Sequence, residues 1–183
     1  MIFPLFSRAT RRDTISTLYG MIVAQARMPC FYRDYAVSDT VNGRFDLIVL
    51  HLALVLERIA ADPGLRALGQ GLFDLFWQDM DHNLREMGIG DLSVPKKMRA
   101  LGEAYYGRTQ AYRAALAEAS DAALIAALAR NIYGEGKDDA ASRLAAYMRL
   151  AVRDLAAQPA EQMAGGRVHF PDPAMVAPAV GRV

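Results

Sequence analysis

Residues 45–60 restrict the possible folds most, because they are apolar on nearly every side of a helix. Within them, the ten positions 47–56 form an apolar run that only His51 interrupts. A helix that is hydrophobic all round is buried among other helices, and ten residues fall far short of the roughly 20 that span a bilayer. We therefore expect this helix at the centre of a bundle, and we expect no transmembrane segment.

The rest of the chain shows helical periodicity separated by strong helix breakers. Apolar residues recur at intervals of three and four in most of the sequence, and the breaks fall at Pro29, Pro63, Gly88, Gly134 and Pro159. Residues 30–43 lack this period and carry turn formers, which favours a loop. No segment alternates convincingly at period two. The pattern predicts an all-α, single-domain helical bundle of about six helices.

The C-terminal part of the sequence differs from the helical part. Residues 159–183 contain four prolines and the pair Gly165-Gly166. Proline and paired glycines disfavour regular helix. We therefore expect a helical domain over residues 1–158 and, over 159–183, an extended tail that packs onto the bundle or stays mobile.

Composition narrows the class of protein. The formal net charge is +1 over 183 residues, so no global field indicates nucleic acid (we expect no DNA partner) or membrane, and any electrostatic signal must come from local clusters. Cys30 is the single cysteine; no intramolecular disulfide can form, and a reducing compartment fits best. Its apolar neighbours predict a small buried side chain. The apolar N-terminus is too short for a secretory signal, and its positive charges follow it.

One helix changes character along its length. On a helical wheel, an apolar stripe begins with Leu65, Leu68, Leu72, Leu75 and Phe76. Asp79, Asn83 and Glu86 continue that stripe, with His82 at its border. Buried polar groups need partners, so three interpretations stay open: a structural polar network or solvated face, a recognition surface, or a metal site using Asp79, His82 and Glu86.

Charge is segregated around the Gly-containing link 88–92. Residues 74–91 hold five acids and one base, Arg85, whereas residues 94–113 hold five bases and one acid. Both clusters oppose the helix macrodipole, so local helix stability does not explain them. Either the two neutralise each other across an αα-hairpin, or Lys96, Lys97 and Arg99 meet an external anion such as ribosomal RNA, lipid headgroups or acidic protein.

No motif in the sequence carries recognisable catalytic chemistry. It lacks GxSxG, a P-loop and a GxGxxG after a strand, which lowers the odds of an enzyme. His51 lies in the apolar helix and is predicted to be a hydrogen-bonded core histidine rather than a ligand. We assign no catalytic, cofactor-binding or metal-ligating residue.

Three segments in this order resemble a known family. They contain Ala24-Gln25-Ala26-Arg27 with Pro29 and Phe31-Tyr32; Gly43-Arg44-Phe45-Asp46; and Leu84-Arg85-Glu86, Gly88, Gly90-Asp91, Lys96, Met98-Arg99 and Ala104-Tyr105-Tyr106-Gly107-Arg108. This set resembles the ubiquinol–cytochrome c chaperone family over about residues 14–155. Members are all-helical assembly factors of the cytochrome bc1 complex. The resemblance implies binding to newly made cytochrome b or another bc1 subunit, a small partner protein, and a place near the ribosome.

The resemblance and the residues together predict a non-catalytic chaperone without a cofactor, peripheral to the cytoplasmic face of a bacterial inner membrane. We expect the contact surface to be the hairpin from Trp77 to Arg99. Within it, we expect client or partner contact through Trp77, Asp79, Met80, His82, Asn83, Arg85 and Glu86. We expect ribosome or headgroup contact through Lys96, Lys97 and Arg99. Phe76, Tyr105 and Tyr112 are assigned to the core. Two alternatives remain: a metal- or haem-binding protein or enzyme, and a basic RNA-binding helical module, which the near-zero net charge disfavours.

Overall fold

A computed structural model describes residues 8–134 and 138–177, and within them the regular structure is all helical. The α-helices are α1 (Arg8–Ala26), α2 (Pro29–Arg33), α3 (Val41–Ala60), α4 (Arg66–Glu86), α5 (Val94–Ala117), α6 (Ala122–Leu128), α7 (Asp138–Ala157) and α8 (Ala160–Ala164). In this part of the chain six of them have seven residues or more. The all-α bundle of about six helices is confirmed. None of the helices described combines the length and apolar character needed to cross a membrane.

α3 is the central helix, as its sequence predicts. It packs against α1, α4, α5 and α7, and Leu47, Val49, Leu50 and Leu52 are fully buried. It begins at Val41, earlier than expected, because Thr40 caps it: the Gly43 N–H donates to the Thr40 hydroxyl over 3.2 Å.

α2 corrects the expected loop over residues 30–43. Pro29 does not only end the first helical segment; it occupies the first turn of α2, where the missing N–H costs nothing. The short helix buries Phe31 and Cys30, so the prediction of a buried cysteine is confirmed. Five residues are too few to show a helical period in the sequence, and packing of Phe31 stabilises the helix.

His51 is a core residue whose ring nitrogens both have partners. Nδ1 lies 2.7 Å from the Leu47 carbonyl oxygen, which only accepts, so Nδ1 carries the proton. Nε2 therefore accepts from the Tyr147 hydroxyl at 2.9 Å, and that hydroxyl in turn accepts from the Gln25 amide at 3.0 Å. Burial lowers the pKa of His51 to about 4. The predicted core histidine is confirmed.

The C-terminal segment, through residue 177, packs onto the bundle. Met163, Val168 and Phe170 are buried, and Ala160–Ala164 forms a short helix within a segment that we expected to be extended. Two long-range hydrogen bonds fasten the segment to α1 and to Tyr35, two residues after α2. Gln25 Nε2 donates to Pro171 O over 3.2 Å and Tyr35 Oη to Pro173 O over 2.7 Å.

Arg143 of α7 joins the same two parts of the chain. Its guanidinium donates to the backbone carbonyls of Asp34 and Val176 over 2.9 and 3.0 Å. It also stacks over the Tyr35 ring, 4.4 Å from the ring centroid. The C-terminal segment and the region of α2 therefore depend on each other for their positions.

A buried ion pair lies where α3 and α5 meet. Arg108 Nη2 is 2.9 Å from Asp46 Oδ1, and their side chains are 19% and 7% exposed. Burial raises the pKa of Asp46 to about 6, against the lowering effect of the Arg108 charge. The neighbouring turn Ala129–Tyr133 is a π-helix that ends at Gly134 with a positive φ, the break that the sequence predicts.

Replacing Gly43 by alanine should destabilise the protein by about 1–3 kcal/mol. A Cβ there would lie 2.0 Å from the Ser38 carbonyl oxygen, which is backbone and cannot rotate away. Gly20→Ala is the matched control, because nothing lies within 4 Å of its Cβ position, and alanine there should gain roughly 0.5–1 kcal/mol of helix stability. Urea unfolding measures both; equal effects of the two changes would refute the close approach.

Candidate functional site

The buried face of α4 differs from the face that the helical wheel predicted. The core side chains are Leu68, Leu72, Phe76, Met80 and Leu84, each four residues from the last. A stripe at spacing four turns about 40° per step around the helix. The buried face therefore moves away from the polar positions, and α4 stays in the core along its length. Met80, expected as a client contact, is buried, and that expectation needs correction.

Asp79 and Asn83 lie at the edge of this buried face and are half-buried. The Tyr19 hydroxyl of α1 donates to Asp79 Oδ2 over 2.7 Å, and Asn83 Nδ2 donates to the Asp79 backbone carbonyl over 2.8 Å. Burial, followed by this hydrogen bond, raises the pKa of Tyr19 well above its usual range. These contacts form a polar link between α1 and α4.

His82 and Glu86 stand outside this link, on the exposed side of α4. Their side chains approach to 3.0 Å and are 68% and 63% exposed. In the part of the chain that the structure describes, no three His, Cys, Asp or Glu side chains are arranged to hold a metal ion. Asp79, the third member of the hypothetical metal set, is directed to Tyr19 instead.

Arg85 binds one acid of α4 and one acid of the α4–α5 link. Its guanidinium contacts Asp81 Oδ2 at 2.7 Å and also contacts Asp91. The link itself begins with Gly88, whose φ of 78° is the left-handed conformation expected of a helix C-terminal glycine. Arg85 therefore fixes the turn of the hairpin.

The basic start of α5 is not neutralised by the acidic end of α4. Lys96, Lys97 and Arg99 are exposed, and among the residues described none of them forms an ion pair. The later bases of α5, Arg108 and Arg113, pair with α3. This leaves three adjacent cations open to an external anion.

Trp77 is half-buried rather than freely exposed. Its ring packs against Phe73, Phe76 and Tyr105, with centroid separations of 5.9, 4.9 and 5.7 Å. α5 covers this side of α4, and a helical wheel of α4 alone cannot show that contact. Phe76, Tyr105 and Tyr112 are buried, and the prediction that they belong to the core is confirmed.

Exposed apolar side chains lie in and beside the α4–α5 link, within the hairpin 77–99 that the sequence predicts as the contact surface. Leu92 is 99% exposed and Met87 is 51% exposed. We call residues 87–99 the hairpin tip; it joins these two side chains to the three open cations. The sequence did contain a signal for this exposure. Leu92 lies in a short link, with two glycines before it and a proline after it, and so short a link has few residues that could cover a leucine side chain.

The hairpin tip stands at one end of the bundle. α3 and α4 are antiparallel: Gly69 at the start of α4 faces Ile59 at the end of α3, and Phe76 stacks on Phe45 at a centroid separation of 6.3 Å. α4 continues ten residues beyond Phe76, about 15 Å of helix, whereas α3 begins only four residues before Phe45.

Comparison with known proteins identifies the family. The family model described as ubiquinol-cytochrome C chaperone matches residues 33–170, most of the chain. The chain belongs to this family. A crystal structure described as the Cbp3 homolog from Brucella abortus is 40% identical, with a TM-score of 0.85 over 97% of this chain and all of the other.

Two curated members of the assembly-factor group are more distant. Ubiquinol-cytochrome-c reductase complex assembly factor 1 of Xenopus laevis is 25% identical over 67% of this chain, and that of Drosophila melanogaster is 25% identical over 85%. The chain spans 61% and 63% of their own lengths. The family predicted from the sequence is confirmed.

Proposed function

We propose that this chain is a non-catalytic assembly chaperone of the cytochrome bc1 complex that binds newly made cytochrome b. Membership of the ubiquinol-cytochrome c chaperone family supports the assembly role, as do the names of the two curated relatives. A small partner protein and the ribosome are further proposed partners, and the proposed location is the cytoplasmic face of a bacterial inner membrane.

The exposed apolar side chains of the hairpin tip are the observation that supports a client site there. A protein that holds a membrane protein before insertion needs exposed apolar surface, and flexible Met side chains adapt to varied partners. Leu92 and Met87 provide such a surface, beside Lys96, Lys97 and Arg99 for ribosome or headgroup contact. We infer that the other residues expected at the contact surface support or flank the tip: Trp77, Asp79, His82, Asn83, Arg85 and Glu86. Met80 is buried in the core.

Changing the apolar pair Leu92→Ser with Met87→Ser should reduce recovery of newly made cytochrome b about tenfold. Burying these two side chains against a client contributes more than the 1.4 kcal/mol that a tenfold change requires. The measurement is affinity capture of tagged chain from membranes of the native organism, with cytochrome b quantified after a short labelling pulse. Both side chains are exposed, so the fold should survive.

The control is Val152→Ser with Met175→Ser, two exposed apolar residues outside the hairpin. It should recover as much cytochrome b as the unchanged chain. Equal recovery by the tip variant would move the client site elsewhere. Failure of the unchanged chain to recover any bc1 subunit would overturn the proposed function itself.

A further inference from the structure

A groove rich in arginine lies where α1 ends, α2 passes and α3 begins. Its volume is about 540 Å³, and its lining consists of Arg27, Pro29, Tyr32, Arg33, Asp39 and Arg44. Three guanidinium groups around one aromatic ring are a common recognition set for phosphate, because the guanidinium fork matches phosphate oxygens. The groove is separate from the hairpin tip, and the inference drawn from it rests on the membrane location proposed above.

Two of the guanidinium groups are held in place by carboxylates at the edge of the groove. Arg33 donates through Nε and Nη2 to Asp34, at 2.7 and 2.6 Å. Arg44 donates through Nε to Asp39 at 2.7 Å. These bonds use one side of each guanidinium and leave other N–H groups for a ligand.

Arg27 supplies the excess charge of the groove. Its side chain is exposed, and its guanidinium forms no hydrogen bond or ion pair with another residue in the described ranges 8–134 and 138–177. Tyr32 forms the apolar wall, since its hydroxyl is already engaged with the Ala26 carbonyl at 3.1 Å. Three guanidinium groups and the two carboxylates of Asp34 and Asp39 leave a net positive charge. Arg27 is the arginine among them that has no carboxylate partner.

The groove opens at the same end of the bundle as the hairpin tip. α1 runs parallel to α4: Ile15 faces Gly71, and further along both helices Tyr19 bonds Asp79. The C-terminal end of α1 therefore lies on the side where α4 ends. One end of the molecule thus presents Arg27, Arg33 and Arg44 together with the three open cations and Leu92.

We propose that this groove binds the phosphate of an anionic phospholipid headgroup. A flat anionic surface can meet the groove and the hairpin tip together, whereas a free phosphate ion can meet only one of them. Cations near such a surface attract it, and the apolar Leu92 can enter its interface. The proposal is independent of the client, because membrane binding is a property of the purified chain alone.

The test is binding of the purified chain to vesicles of phosphatidylcholine with and without phosphatidylglycerol, measured by co-sedimentation. Arg27→Ala with Arg44→Ala should weaken binding to the anionic vesicles about thirtyfold, which corresponds to about 1 kcal/mol per arginine. Circular dichroism confirms that the variant remains helical. Both side chains are exposed, so the fold should be unaffected.

Arg11→Ala with Arg66→Ala is the charge-matched control. These exposed arginines lie near the N-terminal ends of α1 and α4, at the end of the bundle away from the groove. α1 has 19 residues, about 28 Å of helix, well beyond the Debye length of about 8 Å at physiological salt. The control should therefore change vesicle binding by less than about threefold. Equal losses in both variants would reduce the effect to net charge and overturn the proposal.

Two further arms separate other sources of phosphate. Inorganic phosphate is titrated by calorimetry; an affinity equal to that for vesicles would make the groove a free-phosphate site and overturn the membrane assignment. Generic single-stranded RNA is the other probe. Loss of RNA binding in the groove variant, with vesicle binding retained, would also overturn it. Loss of vesicle binding alone is the expected result.

Discussion

Arg108→Ala is expected to destabilise the protein by about 3–5 kcal/mol, because it leaves the Asp46 carboxylate buried without its cation. The pair is 2.9 Å apart, and both side chains are largely withdrawn from water. Arg108 also lies over the Phe45 ring, 5.7 Å from the centroid. Urea unfolding at neutral pH gives the free energy directly.

Arg113→Ala, from the same helix, is the matched control. Arg113 also pairs with a carboxylate of α3, Glu57 at 3.0 Å, but the two side chains are 67% and 57% exposed. Exposed pairs contribute between 0 and about 1 kcal/mol. If the two alanine variants lose similar stability, the Asp46 pair is not desolvated. Replacing Asp46 and Arg108 together by leucine should recover part of the loss, since no buried charge remains.

His51 should make the stability of the protein depend on pH in acid. Its pKa is lowered to about 4 by burial, against about 6.5 in the unfolded chain. The unfolded state therefore binds a proton first as the pH falls. The contribution of His51 is fully present above about pH 6.5 and is lost as the pH falls towards 4, a change of about 3 kcal/mol.

The measurement is the free energy of unfolding of the unchanged chain minus that of His51→Gln, at intervals from pH 7 to pH 4. The difference should shrink by about 3 kcal/mol over that range. Tyr147→Phe is the control: it removes the hydroxyl at Nε2 and keeps the imidazole, so the pH dependence should remain. A constant difference would show that His51 is accessible to water.

Asp46 acts in the opposite direction, so a difference measurement is needed. Its pKa is raised to about 6, so the folded state keeps its proton longer than the unfolded state does. That stabilisation is present below about pH 4 and is lost as the pH rises towards 6. The effects of His51 and Asp46 on the pH dependence of stability partly cancel in the unchanged chain. Replacing either residue alone therefore reveals the pH dependence that the other one causes.

The fold was largely predictable because periodicity and helix breakers determine where long helices begin and end. The central position of α3 followed from its apolar run, and Gly88 and Gly134 end helices with positive φ as expected. α2 was missed because five residues contain no period. Its stability comes from Phe31, which packs 5.3 Å from the His51 ring and 5.1 Å from the Tyr147 ring, contacts distant in sequence.

The candidate site was predictable only in part, because a wheel describes one helix without its neighbours. The predicted contact surface included Met80, whereas that side chain is buried in the core. The predicted contact surface also included Trp77, whose ring packs against Tyr105 of α5. Exposure of Lys96 and Lys97 agrees with the expected surface, but the absence of a cross-hairpin partner among the described residues required coordinates.

The order of synthesis has a consequence for when this molecule becomes functional. The segment around α2 is fastened by Tyr35 to Pro173 and by Arg143 to Val176. These partners are made more than a hundred residues after α2. These bonds can therefore be completed only after residues up to Val176 have been made. A chain still being translated already contains every residue that lines the groove but lacks these C-terminal bonds. Maturation is thus timed by the C-terminal segment.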